Sequence, residues 1–219
     1  MPLYGNFCEG FAWSVATASY QIEGGWRADG KGLSIWDKFA HTPLKVGNDD
    51  NGDVACDSYH KINEDVDMLR RLKVNHYRFS ISWPRILPDG TTRKINEAGL
   101  NYYHHLIDAL LAVNIKPQVN KITSSYTAWT LMDNLEWATG FAEKFGLFYI
   151  NRSDPSLPRI PKQSATHYAT IVNCNGFPEC AHGGGFSGFG GVCSRCRGGP
   201  LCPLGIHSRR HNHSCLPDL

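Results

Sequence analysis

The order of periodic segments along this chain predicts an α/β fold built on a parallel sheet. Three observations carry that expectation. An apolar run at Phe11 to Ala18 reads as a strand, two amphipathic helical stretches alternate with two further strand-like runs, and an aromatic alternating run at Tyr126 to Leu131 precedes a last helix. Composition agrees, since 219 residues with 42% hydrophobic and 19% charged content suffice for one globular core. The balance of 22 basic and 20 acidic residues, net +2, gives no reason to expect a nucleic-acid partner. With no long uninterrupted apolar stretch and no basic start followed by an apolar run, neither a membrane span nor a signal peptide is expected in this chain.

Taken in order, Phe11 to Ala18 should deliver Tyr20, Gln21 and Glu23 into the loop that follows it. Gln21 stands out because an amide donates and accepts at once, which suits neighbouring hydroxyls; the plainer alternative is an amide on a surface loop. Glycines 24, 25, 30 and 32 mark turns, and their spacing is not that of a phosphate cradle. Cys56 to Leu72 places Tyr59, Ile62, Val66, Leu69 and Leu72 on one helical face, with charges on the other. His76 to Ser82 alternates as a strand and carries Arg78, which must find a partner if it faces inward. Asn96 is placed to cap a helix over Glu97 to Val113 with Leu100, Tyr103, Ile107 and Leu110 on one face, and Ile115 to Val119 reads as a third strand. Tyr126 to Leu131 then runs into a loop presenting Asp133, Asn134, Glu136 and Trp137, and a final helix is expected at about Ser164 to Asn173. Asn151-Arg-Ser153 is a glycosylation acceptor only in a secreted chain.

That last strand and loop invite a chemical reading. Trp129 and Trp137 offer flat apolar faces suited to the C–H face of a pyranose, and Glu136 can accept hydrogen bonds from two adjacent hydroxyls; a core tryptophan pair beside a solvated carboxylate is the alternative. The W-x-L-x-D-N-x-E-W run followed by F-G-L resembles the last strand and loop of glycoside hydrolase family 1, the β-glucosidase and β-galactosidase family. The stretches FAWSVATASYQIEGGWRADGKGLSIWD, GDVACDSYHKI, HYRFSISWPRILPDGTTRKINEAGLNYY and SDPSLPRIPKQSA extend the resemblance over about Phe7 to Pro178.

The resemblance implies a (β/α)8 barrel of which only the first three strands and the eighth are written here, an incomplete TIM barrel. Residues 1–119 would supply the N-terminal units, 120–176 the last unit, and 177–219 an unrelated tail. It further implies that Gln21, Trp129, Glu136, Trp137 and Phe145 bind a β-galactoside or β-glucoside, and that Arg78 supports a nucleophilic glutamate. Neither that glutamate nor the general acid/base has a counterpart in this text, and a retaining glycosidase needs both carboxyl groups, roughly 5 Å apart. Glu23, Asp57, Asp133 and Glu136 are the carboxylates at hand; none is assigned catalysis by the resemblance, so the chain is expected to be inactive. Four strands cannot close an eight-stranded barrel, so open sheet edges are expected as well. The alternative is a non-catalytic module, either a sugar binder or an interaction protein driven by its tail.

From Phe177 onward the text turns rich in Gly, Cys, His and Arg. Cys193 and Cys196 with His207 and His211 have the residue types of a zinc site, yet the pairs are too close together for a finger and the residues between them offer little apolar surface for a core. A disordered tail without metal is the expectation, and no cofactor is called for.

Overall fold

A computed structural model of the chain describes residues 5–7, 9–119 and 125–177. After a two-residue strand β1 (Gly5–Asn6), the chain enters β2 (Ala12–Ala16), a short helix α1 (Ser19–Ile22) and helix α2 (Ile35–Ala40). Helix α3 (Ile62–Leu72), strand β3 (His76–Arg78), a single turn α4 (Trp83–Ile86), helix α5 (Glu97–Ala112) and strand β4 (Lys116–Gln118) follow. Strand β5 (Ser125–Trp129), a strand pair β6 (Phe148–Ile150) and β7 (Arg159–Pro161), helix α6 (Gln163–Cys174) and β8 (Gly176–Phe177) complete the described chain.

The predicted parallel sheet has four strands in the order β4–β3–β2–β5, and it is open. Ala16 is the register partner of both Arg78 and Trp129, so the two outer neighbours of β2 end level with each other. Pleating sends alternate side chains to opposite faces. Trp13, Val15, Tyr77 and Phe79 enter the core beneath α3, α5 and α6, where Leu69, Leu72, Leu110 and Tyr168 are also buried. Trp13 meets Tyr168 edge-on at 6.3 Å, and the Tyr168 hydroxyl donates to the Ser14 carbonyl, fixing α6 to the central strand.

Several elements are shorter than their sequence patterns suggest. Helix α3 starts at Ile62, not Cys56, because the preceding residues bind elsewhere: the N–H groups of Cys56 and Ser58 both donate to the Ile22 carbonyl, and Ala55 and Asp57 take positive φ. Strand β3 stops at Arg78, since the N–H of Ser82 turns to the Tyr103 hydroxyl. Asn96 does precede α5, but its side chain does not cap it; the Asn96 amide donates to the Asp29 and Arg85 carbonyls at 2.9 Å each. The buried face of α5 is Gly99, Tyr102, Tyr103, Leu106 and Leu110, rotated from the expected one, because Arg85 and Tyr59 draw the tyrosines inward. The β6–β7 pair, which has no strong periodicity, was not foreseen in the sequence pattern.

Beneath the C-terminal ends of the strands lies a buried ion pair. Glu23, 4% exposed, accepts from Arg85 Nε at 2.8 Å and from the Tyr103 hydroxyl at 2.6 Å. Arg85 also donates to the Gly24 carbonyl and lies 4.1 Å over the Tyr59 ring. Gly24 has to be glycine: φ is +65°, and a Cβ there would sit 2.1 Å from the Val54 carbonyl oxygen.

Candidate functional site

Parallel strands present their C-terminal ends on one side, and the loops after β2 and β5 meet there. Gln21 comes from α1, directly after β2, and is fully buried. Its Nε2 group lies 2.9 Å from Asn134 Oδ1, 2.7 Å from the Leu135 carbonyl and 3.2 Å from Glu136 Oε2, so its hydrogens are shared among three acceptors in the loop after β5. The Asn134 amide in turn donates to the Met132 carbonyl and to Thr130 Oγ1, which holds the loop in shape.

This arrangement leaves acceptors without donors. Gln21 Oε1, Glu136 Oε1 and Asp133 Oδ2 are buried and have no hydrogen-bond partner. Buried polar atoms are nearly always paired, and these three acceptors surround one loop; Asp37 Oδ1 and Ser58 Oγ are the other buried side-chain atoms without a partner among the described residues. Burial pushes the Glu136 carboxyl above its ordinary pKa, opposed by the Gln21 hydrogen bond and by the Trp129 indole N–H nearby. Trp129 ends β5 and is 42% exposed.

The other sequence-predicted residues are distributed less tightly. Trp137, at φ +51°, sets its ring 4.5 Å from that of Trp36 at an interplanar angle of 39°, and the Tyr20 ring lies 6.0 Å from that of Trp36. Phe145 is 54% exposed, and no ring contact or hydrogen bond among the described residues joins it to the Gln21–Glu136 group. Arg78 points to the face of the sheet opposite the helices, in the row of Ala16 and Trp129, and forms no ion pair among the described residues. Trp36 was missed in the sequence. Its signal was available in the spacing Ser34-x-x-Asp37, a capping box whose helix start aims the intervening indole toward the loop.

The remaining carboxylates are committed. Both Glu23 oxygens are bonded to Arg85 and Tyr103, Asp57 is bound to His60 at 2.6 Å, and Asp133 Oδ1 takes the Lys162 ammonium at 2.6 Å and the Gly146 N–H at 2.9 Å. No group of three or more metal-ligating side chains occurs among the described residues. Cys193, Cys196, His207 and His211 lie outside them.

The sequence profile of glycosyl hydrolase family 1 matches residues 3–122 and 120–177, most of the chain. The chain belongs to glycosyl hydrolase family 1. It is 74% identical to the lactase/phlorizin hydrolase of Rattus norvegicus over 117 residues, 53% of this chain and 6% of that protein. It is 50% identical to a 1,4-beta-D-glucan glucohydrolase of Thermotoga neapolitana over 139 residues, 64% of this chain and 31% of that one. The family 1 fold is matched too: a β-glucosidase from Thermotoga maritima superposes with a TM-score of 0.75 at 20% identity, covering 80% of this chain and 100% of that chain. A structure of the Thermotoga maritima enzyme in complex with glucoimidazole aligns at 50% identity and a TM-score of 0.51 over 63% of this chain and 28% of that one. The family 1 chain described here therefore spans under a third of the length of these curated relatives, and its sheet is the partial, unclosed form of their barrel. No helix among the described residues is long and apolar enough to cross a membrane.

Proposed function

We propose that this chain binds a β-glucoside or β-galactoside residue without hydrolysing it. The family's chemistry is glycoside hydrolysis, and relatives named β-glucosidase and lactase/phlorizin hydrolase support a β-glycoside as the sugar class. The observation that carries the reading is the orphaned acceptor set. Gln21 Oε1 and Glu136 Oε1 are buried, lack donors, and belong to side chains already hydrogen-bonded to each other at 3.2 Å. Two adjacent sugar hydroxyls would satisfy both, and Trp129 would cover the apolar side of the ring.

Hydrolysis asks for more. One carboxyl group must protonate the leaving oxygen while a second attacks the anomeric carbon from roughly 5 Å away. Among the described residues Glu136 forms no ion pair, and one of its oxygens accepts from the Gln21 amide. Glu23 and Asp133 are held by Arg85 and Lys162. With neither nucleophile nor proton donor in place, turnover of an aryl β-glucoside should equal the buffer blank. A rate above that blank, abolished by Glu136→Gln, would make Glu136 a catalyst and overturn the reading.

A further inference from the structure

We infer that the cavity between the segment carrying α1 and α2 and the turn α4 is a second binding site, built for a small neutral aromatic hydrogen-bond donor of the phenol class. Gln21, Trp129 and Glu136 do not line it. Its volume is about 140 Å³, close to the roughly 150 Å³ at which an apolar cavity accepts one benzene ring. Four rings contribute to the wall, those of Tyr20, Trp26, Trp36 and Trp83. Trp83 is 60% exposed, so one of these rings remains open to solvent at the cavity.

Charge decides between a neutral and an ionic ligand. The lining holds two cations and two carboxylates that are already paired, Lys31 with Asp37 at 2.9 Å and Arg85 with Glu23 at 2.8 Å. A charged guest would meet one like charge for every opposite one. One acceptor is left over. Asp37 is 1% exposed; its Oδ2 takes the Lys31 ammonium and the Ser34 N–H, whereas Oδ1 has no donor. Lys31 has no proton to spare, because its ammonium also donates to the Trp26 and Gly32 carbonyls. A buried acceptor without a donor is unfavourable, and a hydroxyl supplied through the cavity would satisfy it. Tyr20 adds the complementary group. Its oxygen accepts from the Gly52 N–H at 3.2 Å, and its own proton meets no acceptor among the described residues, so it is available to a ligand oxygen. Burial above all, with the charges of Asp37 and Asp53 and against the Gly52 hydrogen bond, raises the Tyr20 pKa to about 12, which keeps that proton in place at neutral pH. A phenol carries donor and acceptor on one flat ring.

The test is a fluorine NMR titration of the full 219-residue chain at neutral pH with 4-fluorophenol and with 4-fluorotoluene, in which a methyl group of similar size replaces the hydroxyl. The phenol should bind about tenfold more tightly, the scale of one hydrogen bond to a charged group. Asp37→Asn should reduce that preference, and Trp83→Ala, at an exposed position, should weaken the binding of both compounds. The comparison of the two compounds uses the unaltered chain, so it decides about the donor even if Asp37→Asn fails to fold. Equal affinity for both would overturn the inference, and so would binding of neither, which would leave a cavity that holds water alone. Phenol binding that is unchanged in Trp83→Ala would place the ring elsewhere and overturn it as well.

Discussion

Gln21 is fully buried, yet half of its hydrogen-bonding capacity is unused. Its Nε2 group braces the loop after β5 at three acceptors while Oε1 has no partner, so the residue both builds the site and leaves it open. Gln21→Ala should leave Asn134 and Glu136 short of a donor and cost about 1–3 kcal/mol, measurable by chemical denaturation. Glu136 gives a pH signature whose sign follows from its raised pKa. The folded state holds that proton more tightly than the unfolded chain does, so the contribution to stability is present at low pH and is lost as pH rises through the raised folded value. Glu136→Gln cannot release the proton, and its stability relative to the parent should therefore improve from acidic to neutral pH. Paired denaturation series across that window check this; a difference that stays flat or reverses would contradict it.

At the scale of elements, β2 is legible as a fully buried apolar run and β5 as a short aromatic run with β-favouring residues, although β5 is largely exposed, and the residues around Gln21 and Glu136 are legible through polar types placed just beyond strand ends. What escaped the sequence was set by tertiary demand. The helical period from Cys56 onward is real, but Ile22 captures two of its amides and the helix begins six residues later. Asn96 is of a residue type that caps helices and serves instead as a clamp between the turn at Asp29 and α4. The Glu23–Arg85–Tyr103 group joins three elements distant in sequence, so no local pattern announces it. Glu23→Ala should leave Arg85, 1% exposed, as an uncompensated buried charge and cost about 3–5 kcal/mol, seen as a lowered denaturation midpoint. Gly24→Ala should also destabilise, by more than about 1 kcal/mol, since both its φ and the Val54 carbonyl exclude a Cβ.

At the scale of the whole molecule, the four parallel strands among the described residues leave two edges. The β4 edge is blunted by Pro117, which has no N–H, and by exposed Lys116. The β5 edge is not blunted in this way, and Tyr126 and Trp129 stand 49% and 42% exposed along it. Light scattering should accordingly show association that grows with protein concentration, and Tyr126→Lys should reduce it. The account's central claim is that this open sheet keeps the hydroxyl-binding half of a glycosidase site and lacks the bond-cleaving half. Saturation-transfer NMR on 4-nitrophenyl β-D-glucoside, followed over hours with the full chain, tests both halves in one sample. The account predicts saturation of the sugar C–H protons by the protein with an anomeric signal that decays no faster than in buffer. Free glucose appearing above the buffer rate, or sugar protons that receive no saturation, would contradict it.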